Sequence, residues 1–295
     1  MTNRPKICIP ITSVTRDEIT ETARKFATLP AEMVEWRVDF FAGYEREIPA
    51  VTKELKEILG NKELITTIRT THEGGESNGD RFPYKETICK ILTDGKTDYI
   101  DVEIYRGKNI VSEVVSKAKE NGVKVIGSYH NFEKTPSQEE LTDVLEEARE
   151  LGVDIGKAAC MPAGSDEEQW EDVMRLLSVT EKMCETYPEF PLITMSMGKA
   201  GEMSRLYGGL YGSIVSFGCA GKASAPGQIE LDAMMEVFDK IYAGGDQISL
   251  IGFMGVGKST ISHKLHELTG RPEVDTDKRI VEEQGCPIPR IFEEK

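Results

Sequence analysis

The most chemically suggestive position in the chain is a lysine set among small residues, in Asp154-Ile155-Gly156-Lys157-Ala158-Ala159-Cys160. On a buried strand its ammonium would be desolvated and its pKa lowered, and an amine that is neutral part of the time can attack a ketone and form an imine. The alternatives are a lysine that snorkels to the rim and one held by a carboxylate. The preceding apolar run ends in Ser128-Tyr129-His130, and imidazole titrates near neutral pH, which suits proton transfer beside such a lysine. Each residue is ambiguous alone. On adjacent strands the two point to covalent acid–base chemistry at a carbonyl.

Further candidates surround them. Glu35, Arg37 and Asp39 alternate in Glu35-Trp36-Arg37-Val38-Asp39 and so share one strand face, where three charges must pair with one another or meet a ligand. Arg69 leads into a polar, glycine-rich stretch over 70–81 that contains Glu73 and is long enough for a substrate-covering lid. Arg205 has the planar donor fork that clamps a carboxylate, while Met195 and Met197 read either as core or as an apolar pocket wall. In Lys222-Ala223-Ser224-Ala225-Pro226-Gly227-Gln228, backbone donors, Ser224 and Gln228 would approach an anion, unless the segment is an ordinary turn.

Something must bring these positions together. Eight apolar or β-branched runs, at 6–12, 33–40, 63–69, 98–104, 123–130, 154–160, 191–197 and 212–219, alternate with helical segments. One helix has a clear start in Thr135-Pro136-Ser137-Gln138-Glu139-Glu140 and runs to about Leu151. The pattern predicts an α/β fold, a (β/α)8 TIM barrel over residues 1–244, with an open doubly wound sheet as the alternative. In a barrel the active site forms where strands end, and the candidates above fall there.

Composition narrows the partners. Among 295 residues, 36 Lys+Arg face 51 Asp+Glu, and a net charge of -15 disfavours nucleic acid and anionic membranes. No apolar run approaches the ~20 residues that span a bilayer, and Met1-Thr2-Asn3-Arg4-Pro5 lacks a signal-peptide core, so a cytoplasmic protein is expected. Six scattered cysteines without metal spacing read as reduced thiols, and no structural metal is expected.

The segments Glu-Trp-Arg-Val-Asp at 35–39, Glu-Gly-Gly-Glu at 73–76, Ser-Tyr-His at 128–130, Lys157 with Met161-Pro162, Met-Ser-Met-Gly at 195–198, Ser-Arg at 204–205 and Lys-Ala-Ser-Ala-Pro-Gly-Gln at 222–228 resemble, in order, the type I 3-dehydroquinate dehydratase family of the shikimate pathway. The resemblance implies that Lys157 forms an imine with 3-dehydroquinate, that His130 moves the proton and that Glu73 orients His130. It implies a substrate carboxylate held by Arg205, Ser224 and Gln228, ring hydroxyls held by Glu35, Arg37 and Arg69, and an apolar wall of Met195, Met197 and Phe217. No cofactor is implied for the dehydratase, and a homodimer is. A class I aldolase would use the same lysine, and a nucleotide-sensing module with a vestigial barrel is a reading from a different class.

Residues 245–295 form a second, partial unit. A predicted strand at 247–252 leads into Gly252-Phe253-Met254-Gly255-Val256-Gly257-Lys258-Ser259-Thr260, a P-loop pattern, and then a helix over about 258–268. Gly252, Gly255 and Gly257 would let the backbone cradle phosphates, Lys258 would reach the β and γ positions, and Ser259, beside Thr260, would hold Mg²⁺. With Asp275-Thr276-Asp277 the unit resembles the opening part of shikimate kinase. ATP and Mg²⁺ are therefore expected only if this P-loop α/β segment functions, and kinase activity is not expected of it alone.

Overall fold

Eight parallel strands and their connecting helices follow one another along the first 245 residues of the computed structural model, which describes residues 4–77, 83–221, 223–242, 262–263, 266, 273–287 and 290. The strands are β1 (Lys6–Ile11), β2 (Met33–Arg37), β3 (Glu63–Thr67), β4 (Tyr99–Glu103), β5 (Lys124–Asn131), β6 (Ile155–Cys160), β7 (Leu192–Ser196) and β8 (Val215–Phe217). They are hydrogen-bonded in the order β7-β6-β5-β4-β3-β2-β1-β8. The ends of that order meet at a parallel bridge between Leu192 and Ser213, where the Ile214 N–H donates to the Leu192 carbonyl at 2.8 Å. The result is a nearly closed (β/α)8 barrel; the open-sheet alternative is excluded.

The helices are α1 (Arg16–Ala27), α2 (Ile48–Leu59), α3 (Tyr84–Asp94), α4 (Lys108–Glu120), α5 (Gln138–Glu150), α6 (Asp166–Thr186), α7 (Glu202–Tyr207) and α8 (Leu231–Tyr242). Reciprocal caps fix several starts: Thr15 with Glu18 for α1, Ser137 with Glu140 for α5, and Ser165 with Glu168 for α6.

Period-two alternation sorts each strand into two faces. On β1, Ile7, Ile9 and Ile11 pack outward against the helices while Cys8 packs inside; on β6, Ala158 and Cys160 face the helices while Ile155 and Ala159 face in. The floor of the barrel is apolar, with Met33, Ile65, Ile126, Ile155 and Ile193 in one cluster. Moving two residues along the same faces replaces these with Glu35, Thr67, Ser128, Lys157 and Met195. A dry floor therefore carries a charged layer directly above it.

Three predicted strands end two or more residues earlier than their apolar runs suggest. The second stops at Arg37, because Val38–Phe40 coils into a 3-10 turn, so Asp39 does not lie on the strand face that alternation assigned to it. The third stops at Thr67, which puts Arg69 in the loop, and the eighth is only Val215–Phe217. In the stretch over 70–81 expected to form a lid, the part as far as Ser77 is a compact turn: Thr71 N–H donates to the Ser77 carbonyl and Gly75 N–H to the Thr70 carbonyl, both at 2.8 Å.

The second unit spans Asp246–Lys295. Its helix α9 (Thr276–Gln284) is capped by Asp275, which accepts from the Asp277 and Lys278 N–H groups, and ends at Gly285 in the left-handed region. Ser262, His263 and His266 are helical, as predicted for that stretch. The predicted strand and Gly252, Gly255, Gly257, Lys258, Ser259 and Thr260 lie outside the described residues. No helix among the described residues is long and apolar enough to cross a membrane.

Candidate active site

Lys157 points inward from β6, where its small neighbours leave room for the extended side chain. It is only 4% exposed, so it does not snorkel. Its Nζ lies 3.1 Å from Asp101 Oδ2 and 3.7 Å from Glu35 Oε1, and 4.7 Å from the centre of the Phe217 ring. Carboxylates therefore compensate its burial, and a π face approaches it from the apolar side.

His130 stands on β5, and its Nδ1 lies 2.8 Å from Glu73 Oε2. Glu73 thus occupies one ring nitrogen and leaves Nε2 for a substrate. Burial pushes the Glu73 carboxyl up to about 8; Arg69 opposes that rise, and Glu103 and Asp101 add to it. Burial also drives His130 well below the usual imidazole range, with Arg69, Lys157 and Arg37 acting in the same direction. The two residues form one coupled pair that resists carrying net charge.

Arg69 connects this pair to the lysine. Its Nη1 donates to Glu73 Oε2 at 3.3 Å, Glu103 Oε1 at 3.2 Å and Ser128 Oγ at 2.9 Å, and its Nη2 to Asp101 Oδ1 at 2.7 Å. Burial opposes ionisation of Asp101, but Arg69, Lys157 and a hydrogen bond from Ser128 outweigh it and hold the group at about 2. Nearby, Arg37 grips Asp39 through two bonds of 2.8 and 2.7 Å, which is how the turn after β2 recovers the pairing that strand alternation predicted. Glu35 Oε1 also accepts from Thr67 Oγ1 at 2.8 Å.

Opposite these carboxylates sits Arg205, 2% exposed. Its donors reach the Phe217 and Pro226 carbonyls at 3.2 Å and Met195 Sδ at 3.4 Å, while its Nε is buried without a hydrogen-bond partner among the described residues. Burial lowers its pKa to about 10. A guanidinium met, among the described residues, by carbonyls and a thioether is a strong donor site for an incoming carboxylate. Ser224 and Gln228 brace each other beside it, the Ser224 N–H donating to Gln228 Oε1 at 2.7 Å.

Of the barrel residues singled out from the sequence, Glu35, Arg37, Arg69, Glu73, His130, Lys157, Met195, Met197, Arg205, Phe217, Ser224 and Gln228 line one cavity of about 210 Å³, which suits a single substituted ring, and Asp39 does not. Sequence reading missed Asp101, Glu103, Ser128 and Phe132. The run Asp101-Val102-Glu103 carried a usable signal, since it alternates charges on one strand face as Glu35 and Arg37 do.

A (β/α)8 barrel that gathers a buried lysine, an imidazole–carboxylate pair and an uncompensated arginine around one cavity defines an enzyme acting on a small carboxylated carbonyl compound. The family described as Type I 3-dehydroquinase matches residues 7–244. The 3-dehydroquinate dehydratase of Clostridioides difficile is 39% identical over 241 residues, 81% of this chain and 92% of the relative, and that of Klebsiella pneumoniae is 41% identical over 236 residues, 79% and 92%. Two solved structures superpose well. The type I 3-dehydroquinate dehydratase from Clostridium difficile with covalent modified comenic acid gives a TM-score of 0.76 at 38% identity, covering 82% of this chain and 94% of the other; the enzyme from Geobacillus kaustophilus gives 0.75 at 32%, covering 82% and 92%. The chain belongs to the type I 3-dehydroquinase family, which serves the shikimate pathway. The family described as Shikimate kinase matches residues 254–295.

Proposed function

We propose that the barrel dehydrates 3-dehydroquinate to 3-dehydroshikimate through an imine on Lys157. As the free amine, Lys157 adds to the ring ketone, and the carbinolamine loses water to give a protonated imine that acts as an electron sink. His130 removes a proton from the adjacent carbon, and the electron pair forms an enamine. The enamine expels the β-hydroxyl, which His130 protonates as it leaves as water. A second water hydrolyses the conjugated imine, again with His130, and frees product and lysine.

The observation that carries this reading is the placement of Lys157, the His130–Glu73 pair and Arg205 around one cavity. An ammonium has three N–H donors and an iminium only one. Asp101, at 3.1 Å, keeps that donor, and Glu35, at 3.7 Å, is released to accept a ring hydroxyl beside Arg37 and Arg69. Arg205, with Ser224 and Gln228, receives the substrate carboxylate, and Met195, Met197 and Phe217 wall the apolar side. The covalent ligand of the C. difficile relative supports a nucleophile in this cup. The dehydration takes its electron sink from the lysine and calls on no cofactor; ATP and Mg²⁺ concern only the P-loop residues of the tail. The same reading expects a cytoplasmic homodimer without nucleic-acid or membrane partners, the last supported by the net charge of -15.

Turnover in heavy-oxygen water tests the mechanism. An imine route exchanges the ketone oxygen at each turnover, so the product carbonyl is expected to carry the label beyond background exchange. Product that keeps the original oxygen would contradict the imine.

The pH dependence follows from the dyad. Holding two protons, one shared between Glu73 and Nδ1 and one on Nε2, the pair is neutral and has no free base; loss of one proton exposes the Nε2 lone pair. Because burial holds the Glu73 proton up to about 8, kcat/KM should rise with pH through the neutral range, with an apparent pKa near that value. In Glu73→Gln the amide cannot titrate and His130 is left in its lowered range, so the acid limb should move to lower pH while kcat falls ~10- to 100-fold. Identical acid limbs in the two proteins would refute the coupling.

A further inference from the structure

Phe132 follows His130 by two residues and enters the same cavity. Its ring packs closely against Gly74, the residue after Glu73: a Cβ built on Gly74 would fall 2.3 Å from Cε2 and 2.5 Å from Cζ of that ring. Gly74 has a φ of 74° and closes the 3-10 turn Thr71–Glu73 that carries the carboxylate. The chain at the end of β5 therefore reaches this turn twice, through the hydrogen bond between His130 and Glu73 and through the Phe132 ring. The ring is left 39% exposed, so its own burial is incomplete, and the surface it covers closely is the glycine.

The second contact answers a competition. Glu73 Oε2 is shared between His130 Nδ1 at 2.8 Å and Arg69 Nη1 at 3.3 Å. The backbone hydrogen bonds of the turn leave the carboxylate itself a choice between these two donors, and the Phe132 ring packed on Gly74 restrains the residue next to it. We propose that Phe132 is a positioning residue for proton transfer: by pinning Gly74 it holds the Glu73 carboxylate on His130. The proposal rests on the His130–Glu73 reading above. The charged groups facing the pair are Arg69 after β3, Asp101 and Glu103 on β4, Lys157 on β6 and Arg37 on β2.

The test is a double-mutant cycle in the full chain, with Phe132→Ala, Phe132→Leu and Phe132→Tyr made alone and with Glu73→Gln, each variant checked for an unchanged melting profile. Phe132→Ala is expected to lower kcat ~10-fold with KM within about two-fold, and to move the acid limb of the pH profile as Glu73→Gln does. Phe132→Leu, which lacks the ring, should follow Phe132→Ala, and Phe132→Tyr, which keeps it, should hold the acid limb at the wild-type position. In the Glu73→Gln background, Phe132→Ala should change kcat by less than about two-fold. Equal losses in both backgrounds, or a raised KM with the acid limb unmoved, would overturn the proposal and leave the ring as pocket wall. If Glu73→Gln itself costs nothing, the underlying dyad reading fails and the proposal fails with it.

Discussion

Lys157→Ala is expected to leave a folded barrel with turnover reduced by ~10⁴-fold or more, because the variant loses the electron sink itself rather than a group that tunes it. Lys157 is the one lysine lining the cavity among the described residues, so no neighbour can replace it in place. The fold should persist. Asp101 keeps Arg69 and Ser128, and Glu35 keeps Thr67, so neither carboxylate is stranded. Removing one partner of a buried ion pair nonetheless costs about 3 kcal/mol, visible as a lower denaturation midpoint. Turnover within ten-fold of wild type in the folded variant would place the chemistry on another group.

The second large effect belongs to His130→Ala. General acid–base catalysis contributes up to ~10⁴-fold, and in the proposed route this histidine serves both the proton abstraction and the departure of the hydroxyl. Imine formation does not need the carbon proton, so the variant should bind substrate covalently and then stall. Trapped protein from this variant should carry substrate, heavier by one water than the product adduct that follows elimination. Product-mass adduct appearing at the wild-type rate would show that another base removes the proton.

The inward residues were legible because the period of a strand is two and one face is dry. Once Ile155 is inside, Lys157 must be inside as well, and the same arithmetic carries Ser128 to His130 and Ile193 to Met195. Residues that depend on turns were not legible. Asp39 lies beyond the strand, and only the 3-10 turn after Arg37 brings it back to the guanidinium. Arg69 was read as a hydroxyl ligand; its four bonds to Glu73, Glu103, Ser128 and Asp101 are set by loop geometry and make it the link between lysine and histidine. Asp101 and Glu103 carry the same alternation as Glu35 and Arg37, but among 51 acidic residues that signal does not stand out from ordinary surface charge. Their burial, at 0% and 1% exposed, separates them from the rest. Phe132 continues the spacing of Ser128 and His130, but it lies beyond the strand and its contact with Gly74 joins segments far apart in sequence.

The central claim is a covalent bond between Lys157 and the ring ketone. It is tested most directly by intact-mass analysis after incubation with 3-dehydroquinate and borohydride, run in parallel on Lys157→Ala. The expected result is a ligand-sized mass increase in the native chain that maps to Lys157 and is absent from the variant. A native, folded chain that turns over substrate without any reducible adduct would contradict the account.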